Sequence, residues 1–371
     1  MPPDPSGYAI ALTTNYPEIV ESVLAAVEEG GLDRIACVLT LANHVASITP
    51  VADRHGVPVV SLPIPAGSFR LDVACRKSED YCKSLGAVVD GFMAEHRPDL
   101  VMTFGFPIVP AFFFEQASRG AVNVHPSDLP AYRGALPLEA MVLDEATSYR
   151  FTAHRLTSTV DDGVVFAKSD FFDIPPRSST GAIWRELVSR RFRPFTTDLL
   201  AALHRGDVIP PAAATEDAPD AFACKPVKVQ NPSDGSWVQT NGGTLGRVRI
   251  AWTLDKASDI ERASRAFDGG MHAGLKLFTD YQRRPYLIEK VEGSIEPSDA
   301  APGTILEKRD DGSLLCATCD GGTVLLRGGF RPIRSLEDPE LVPGTAFEST
   351  SPIALMTGYA LTGLERAVFN T

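Results

Sequence analysis

Between Tyr8 and about Arg205, short runs of apolar and β-branched residues alternate with segments of helical length. The first two strands are predicted at Tyr8–Leu12 and Arg34–Leu39, with a helix over Pro17–Glu29 between them. The same alternation continues through strands at Val57–Leu62, Leu100–Phe104, Val122–His125 and Phe151–Leu156, and a helix near Ser78–Glu95. Strands that alternate with helices form βαβ units, which build a parallel sheet covered on both faces. The sequence therefore predicts an α/β, Rossmann-like N-terminal domain.

The chain is long enough for a second domain, because its 371 residues exceed the usual length of about 150 per domain. Residues 206–243 are rich in turn and linker residues. Beyond them we predict a helix at Lys256–Phe267 and strands at Val248–Thr253, Tyr286–Val291, Thr304–Lys308, Leu314–Thr318 and Thr323–Arg327. Short strands separated by Gly turns are typical of a small barrel or sandwich. We therefore predict a catalytic domain over 1–205, a linker over 206–243 and a smaller β-rich, barrel-like domain over 244–371.

The charge balance argues against a broad surface for nucleic acid or anionic membrane. Lys and Arg number 35 against 47 Asp and Glu, a formal net charge of −12, whereas such surfaces depend on clustered Lys and Arg. No apolar run reaches the roughly 18 residues of a transmembrane helix, and the first residues lack the pattern of a secretory signal. Six cysteines in a chain of this length do not indicate a disulfide framework. We expect a cytoplasmic protein.

Metal and nucleotide motifs are absent from the sequence. Cys316 and Cys319 form a CxxC pair, but no second Cys or His pair at zinc spacing accompanies it, so we predict no metal site. Neither GxGxxG nor GxxxxGK[ST] occurs, which disfavours NAD and ATP as ligands.

Polar residues of three chemical types follow the predicted strands. Asn123 and His125 are two apart at the end of a strand, so they project to the same face of the sheet. A carboxylate comes from Asp161 or Asp162, ahead of Gly163, which permits a tight turn. An amide can donate to a developing oxyanion, an imidazole can move a proton, and a carboxylate can hold and charge the imidazole. Because open sheets bind ligands beyond the carboxyl ends of their strands, we predict an acyl-transfer site there.

At these residues the chain resembles the folate-dependent formyltransferases, a family that includes methionyl-tRNA formyltransferase, sugar N-formyltransferases and glycinamide-ribonucleotide transformylase. The family pattern is Asn-x-His-x-Ser-Leu-Leu-Pro-x-Tyr-Arg-Gly followed by Asp-x-Gly, and here residues 123–134 read NVHPSDLPAYRG and 161–163 read DDG. Thr152-Ala153-His154 is similar to a Thr-x-His strand of the family. Ile250-Ala251-Trp252 and Pro302-Gly303-Thr304 are similar to the C-terminal domain of the tRNA enzyme, so the resemblance covers most of the chain.

The resemblance implies a reaction in which a substrate amine attacks the formyl group of N10-formyltetrahydrofolate. It implies the catalytic residues Asn123, His125 and Asp161, and selects Asp161 over Asp162. The predicted folate-binding residues are Phe104, Phe106, Ile108 and Val109, together with Asp161. The predicted acceptor-binding residues are Ser127, Asp128, Tyr132 and Arg133. We interpret His154 as a structural residue.

Two features favour a small amine, such as an amino sugar or a specialised metabolite, over tRNA as acceptor. The stretch Leu41–Thr49 after the second strand, which we interpret as a loop, contains no Lys or Arg. From Gly206 to Thr371 the chain has 17 Lys and Arg against 23 Asp and Glu. Asp128 also replaces a Leu of the family pattern, as a solvated loop residue or as a ligand for a cationic acceptor.

The alternatives to this function are methionyl-tRNA formyltransferase, a formate-releasing hydrolase and a catalytically silent folate- or partner-binding protein. The sequence leaves the transferred group (formyl or formimino) and the oligomeric state open.

Overall fold

The computed structural model describes residues 7–64, 70–134, 136–204, 250–268, 277–282, 284–293, 296–330 and 338–348, with the backbone of two short strands at 239–240 and 244–245. The chain divides into two compact units. The first consists of residues 1–135, 148–172 and 186–227, and the second of 136–147, 173–185 and 228–371. Residues 206–238 and 241–243 of the predicted linker lie outside the described residues. The predicted domain boundaries stay a prediction.

Helices and strands alternate along the first half of the described chain, and strands dominate the second. The helices are α1 (Pro17–Gly30), α2 (Val45–Arg54), α3 (Leu71–Lys77), α4 (Glu79–His96), α5 (Pro137–Leu143), α6 (Thr180–Glu186), α7 (Phe192–His204) and α8 (Ala257–Ala266). The strands are β1 (Ala9–Thr13), β2 (Arg34–Leu41), β3 (Val59–Leu62), β4 (Leu100–Thr103), β5 (Ala121–His125), β6 (Ser148–Tyr149), β7 (Thr152–Arg155), β8 (Val165–Lys168), β9 (Phe172–Asp173), β10 (Gln239–Thr240), β11 (Thr244–Leu245), β12 (Phe278–Tyr281), β13 (Arg284–Glu292), β14 (Ile305–Lys308), β15 (Leu314–Ala317) and β16 (Thr323–Phe330). Among the residues described, no helix has both the length and the apolar content needed to cross a bilayer.

The first unit is built on a seven-stranded sheet in the order β3-β2-β1-β4-β5-β7-β8. The first five of these strands are parallel, whereas β7 pairs antiparallel with β5 and β8 antiparallel with β7. Strand β1 is buried along its whole length, as expected where helices cover both faces of a sheet. The α/β, Rossmann-like prediction is confirmed, and its strand bounds differ from the observed ones by one or two residues.

The strand order places polar side chains at one edge of this sheet. Sheet order reverses at β1, which lies between β2 and β4, and ligands of such sheets bind beyond the carboxyl ends of strands near the reversal. Strand β5 lies parallel to β4 in the sheet, so the last residues of β5 lie at the same carboxyl ends of the strands. Behind the sheet, Phe151 is fully buried and its ring stacks on Phe195 of α7, 5.2 Å between ring centroids.

Two predicted elements are wrong. The stretch predicted as a loop over Leu41–Thr49 forms a 3-10 turn at Ala42–His44 and then the start of α2. The strand predicted at Val248–Thr253 is absent from 250–253, the part of it that is described. There the chain turns, because the Asp255 carboxylate accepts a hydrogen bond from Ala251 N at 2.7 Å. The turn buries Trp252 completely.

The second unit contains a five-stranded antiparallel sheet in the order β12-β13-β16-β15-β14. Residues 344–348 bond to both edge strands: Ile305 N donates to Thr345 O at 2.7 Å, and Glu348 N donates to Asp280 O at 2.7 Å. This segment joins the two edges, so the sheet curls into the predicted barrel-like form. The buried Trp252 ring stacks on Phe347 of this segment, with 5.7 Å between ring centroids.

Candidate active site

Asn123 lies near the end of β5, which is flanked in the sheet by β4 and β7. It is opposite Thr103 of β4 and His154 of β7 in the sheet register. Its Oδ1 accepts a hydrogen bond from Thr103 Oγ1 at 2.8 Å, and its Nδ2 lies 3.0 Å from His154 Nε2. The amide is thereby oriented with its N–H groups away from β4.

His125 is buried, and the loop that follows it determines its tautomer. Its Nε2 lies 2.8 Å from the carbonyl oxygen of Tyr132. A carbonyl oxygen only accepts, so we assign the proton of the neutral ring to Nε2. The unprotonated Nδ1 then faces Asp161, 3.7 Å from its Oδ2. The ring is oriented by a backbone carbonyl, and its lone pair is directed toward a carboxylate.

Asp161 contacts the other site residues with both of its oxygens. Oδ2 accepts a hydrogen bond from Gly134 N at 2.7 Å and faces His125. Oδ1 lies 3.4 Å from Asn123 Nδ2 and 3.4 Å from His154 Nε2. The structure therefore brings together Asn123, His125 and Asp161, the three predicted catalytic side chains.

The position of Asp161 depends on a close approach of backbone two residues later. A Cβ added to Gly163 would lie 1.9 Å from the carbonyl oxygen of Arg155, so only glycine fits there. Asp161 itself has a φ of 49°, in the left-handed region that Asp adopts more readily than most residues. The Asp-x-Gly spacing thus reflects a turn that carries the carboxylate onto the sheet.

His154, for which the sequence predicts a structural role, contacts both Asn123 and Asp161. Its Nδ1 donates to Arg155 O at 2.9 Å, so its Nε2 accepts from Asn123 when the ring is neutral. The same Nε2 lies beside Asp161. The Thr-x-His resemblance was the available signal. Its meaning depended on the antiparallel pairing of β7 with β5, which places His154 opposite Asn123.

Burial and contacts shift the pKa values of the central pair. Burial lowers the pKa of His125, although the Asp161 carboxylate and the Tyr132 carbonyl oppose the shift. Burial alone would raise the pKa of Asp161, but His125, His154 and the Gly134 N–H hold that pKa well below its usual range. At neutral pH the pair is therefore a neutral imidazole beside a carboxylate.

The predicted acceptor-binding residues all make contacts within the protein. Ser127 Oγ donates to Ala131 O at 2.7 Å, and Asp128 Oδ1 accepts from Lys168 Nζ at 2.6 Å. The Arg133 guanidinium pairs with the Asp162 carboxylate, and the Tyr132 carbonyl accepts from His125. Binding of the acceptor by Ser127, Asp128, Tyr132 and Arg133 stays a prediction.

Four of the five predicted folate-binding residues follow β4, the strand that pairs with β5; the fifth is Asp161. Phe104 is fully buried and packs on Phe192, with 4.5 Å between ring centroids. Phe106 and Ile108 are half-buried, and Val109 is buried. Half-buried apolar residues that follow β4, whose Thr103 pairs with Asn123 in the sheet, suit contact with a flat heteroaromatic ring. Phe106 and Ile108 are better placed than Phe104 to contact such a ring, and the contact itself stays a prediction.

Comparison with known proteins gives a consistent family. Residues 10–187 match the family described as formyl transferase. Methionyl-tRNA formyltransferase of Burkholderia multivorans is 25% identical over 358 residues, which cover 93% of this chain and 95% of that protein. Methionyl-tRNA formyltransferase of Roseiflexus castenholzii is 29% identical over 277 residues, or 74% of this chain and 78% of that protein.

Solved structures of other proteins have a similar fold. HypX from Aquifex aeolicus, in complex with tetrahydrofolic acid, matches 86% of this chain and 44% of its own length with a TM-score of 0.51 and 14% identity. The segment matched to the family contains Asn123, His125 and Asp161. Over residues 10–187, just under half of its length, this chain is similar to the formyl transferase family.

Proposed function

We propose that this protein transfers a formyl group from N10-formyltetrahydrofolate to the amine of a small molecule, such as an amino sugar or a specialised metabolite. The convergence of Asn123, His125 and Asp161 at the edge of the sheet carries the proposal, because it supplies an oxyanion donor, a proton acceptor and an anion in contact. The match of residues 10–187 to the formyl transferase family supports it.

The folate supplies the formyl carbon when it is bound. The attacking amine nitrogen forms a bond to that carbon, and the bond from the carbon to N10 breaks. His125 takes the amine proton at Nδ1, the nitrogen left unprotonated by the Tyr132 contact. The new N–H faces Asp161, whose negative charge stabilises the imidazolium. His125 then returns the proton to N10, so protons balance over the reaction.

Asn123 stabilises the negative charge that develops on the formyl oxygen. Its Nδ2 has a short contact to His154 and a long one, 3.4 Å, to Asp161. A bond of this length is weak, so this N–H can turn to the oxyanion at little cost. Removing one such donor from an acyl-transfer site typically costs about a hundredfold to a thousandfold in kcat.

Electrostatics favours a small acceptor. The chain has a formal net charge of −12, and tRNA binding depends on many contacts from Lys and Arg to phosphate. The segment after β2, now seen as a 3-10 turn and the first turns of α2, has no Lys or Arg before Arg54. The acidic sequence thus offers little for a polyanion.

Methionyl-tRNA formyltransferase is the second candidate, because one enzyme of that name aligns with 93% of this chain. The two candidate functions predict different substrates and a different dependence of tRNA affinity on salt concentration. A panel of amino sugars and other primary amines, and methionyl-tRNA, should be assayed with N10-formyltetrahydrofolate. We expect a formylated small amine, and tRNA binding that is weak at all salt concentrations. Methionyl-tRNA formylation with affinity that falls steeply as salt is added would contradict the small-molecule proposal.

The same assay separates two further alternatives. A hydrolase would release formate at an equal rate with and without amine. A silent binding protein would bind folate but give no turnover with any amine or with water. His125→Ala serves as the negative control, because it removes the proton acceptor and leaves the apolar residues after β4 in place.

A further inference from the structure

We propose that Lys168 and Asp128 are a positioning pair for the loop 126–134 and that they act on catalysis through the Tyr132 carbonyl. The role in catalysis rests on the function proposed above. It differs from the sequence prediction that Asp128 binds the acceptor.

The pair joins the loop to the edge strand of the sheet. Lys168, the last residue of β8, is opposite Thr152 in the register, and Thr152 is opposite His125. Its Nζ donates to Asp128 Oδ1 at 2.6 Å and to Leu129 O at 2.8 Å. One ammonium group therefore bonds both the side chain and the backbone of the loop.

Strand β7 fixes the same part of the loop beside this pair. Thr152 Oγ1 donates to Ser127 O at 2.6 Å and accepts from Leu129 N at 3.3 Å. Ser127 Oγ closes the loop by donating to Ala131 O. Residues 127–129 are thus attached to β7 and β8, and the rest of the loop extends from this anchored end.

The far end of the loop delivers two backbone groups to the site. Tyr132, with a φ of 56°, presents its carbonyl oxygen to His125 Nε2. Gly134 presents its N–H to Asp161 Oδ2. A displacement of the loop would change the tautomer of His125 and the hydrogen bonding of Asp161 together.

The Asp128 carboxylate lies beside two cations of the protein itself, Lys168 and Arg150. Its side chain is 41% exposed and that of Lys168 26%, and Arg150 Nη1 lies 3.8 Å away as a second cation. Partly exposed ion pairs contribute little to overall stability. We therefore expect the Lys168–Asp128 pair to affect the position of the loop rather than the stability of the protein. A displacement of about 1 Å in a catalytic site can lower the rate by about a hundredfold.

The test compares Lys168→Met, Asp128→Leu and the double variant with wild type. Asp128→Leu introduces the residue of the family pattern at that position. Lys168→Arg keeps the charge, and Lys83→Met is the matched control, because it removes an exposed ion pair with Glu79 on α4, far along the chain from the loop. Thermal unfolding should show each variant folded.

The first readout is the tautomer of His125, measured in 15N-histidine protein by long-range 1H–15N spectra, with His125→Gln used for assignment. Wild type and Lys168→Arg should give the Nε2–H pattern. Lys168→Met should give a mixture of tautomers. An unchanged His125 signal in Lys168→Met and Asp128→Leu would overturn the proposal. This readout needs no substrate, so it stands even if formyl transfer is disproved.

The second readout is steady-state kinetics with an amine that is turned over. Lys168→Met should lower kcat by about ten- to a hundredfold, with KM for amine and folate within about twofold, and the double variant should be no worse than Lys168→Met. If Asp128→Leu instead raised KM for the amine at constant kcat, Asp128 would be an acceptor ligand and the proposal would be wrong.

Discussion

His125 Nε2 bonds to the carbonyl oxygen of Tyr132, seven residues later in the chain, at 2.8 Å. This contact, rather than the carboxylate of Asp161 at 3.7 Å, orients the imidazole in the resting site. A backbone acceptor does not titrate, so Nε2 carries the proton of the neutral ring and Nδ1 is the nitrogen that gains or loses a proton. Asp161 is then free to stabilise the charge that His125 acquires during the reaction.

Replacing His125 with Ala tests its role as proton acceptor. We expect kcat to fall by about a hundredfold or more, the usual effect of removing a general acid or base. Folate affinity, measured by equilibrium titration, should change little, because Phe104, Phe106, Ile108 and Val109 follow a different strand and Asp161 keeps its hydrogen bond from Gly134 N. Unchanged turnover would contradict the mechanism.

The pH dependence of kcat/KM should report the buried imidazole. Burial lowers the pKa of His125, so its acidic limb should lie below the ordinary histidine value of about 6.5. Activity should be constant above that pH and fall as protonation of His125 removes the base. Asp161, whose pKa is held low, should stay ionised throughout. A limb centred well above pH 7 would show that another group controls the rate.

His154 should contribute to catalysis through the groups it contacts. His154→Ala removes the acceptor for the Asn123 amide and one contact to Asp161. We expect kcat to fall by about tenfold, less than for His125→Ala, since the proton acceptor remains. The kinetics of His154→Ala, His125→Ala and the double variant would measure the energetic coupling between the two histidines. Wild-type kcat in His154→Ala would restore the structural interpretation.

Gly163→Ala tests how Asp161 is placed. The added Cβ would lie 1.9 Å from Arg155 O, so the turn must shift and carry Asp161 with it. We expect a loss of about a hundredfold in kcat. Gly91→Ala is the control: its Cβ meets no atom within 4 Å on α4, so activity should persist and stability should rise by about 0.5–1 kcal/mol. Equal activities of the two variants would refute this account of the Asp-x-Gly turn.

Thr279→Val tests the core of the second unit. Thr279 Oγ1 accepts a hydrogen bond from the buried Trp252 Nε1 at 2.8 Å, and Val has nearly the same shape. Leaving that N–H unpaired should lower the free energy of unfolding by about 1–3 kcal/mol, measured by denaturation with tryptophan fluorescence. Thr304→Val, which removes an exposed contact to Ala301 O, should change it much less.

Local patterns in the chain were enough to predict the Rossmann-like sheet, the barrel-like second unit and the placement of Asn123 and His125 on one face. These features depend on apolar periodicity and on residues two apart in a strand, which neighbouring residues determine. The strand prediction at Val248–Thr253 was wrong because it also rested on a local apolar run, which suits a strand as well as a buried turn. The hydrogen bond from Ala251 N to the Asp255 carboxylate makes the described part of this segment a turn.

Contacts between segments far apart in the chain could not be predicted from local patterns, because they depend on how the strands and loops pack. The antiparallel pairing of β7 brought His154 to Asn123, and Lys168 met Asp128 across 40 residues of sequence. The tautomer of His125 likewise depends on the path of the loop that returns Tyr132 to it. Sequence patterns specify which chemical groups are present and which face of a strand they occupy. Their distances and protonation follow from packing, because strand order and loop path bring together residues that no local pattern connects.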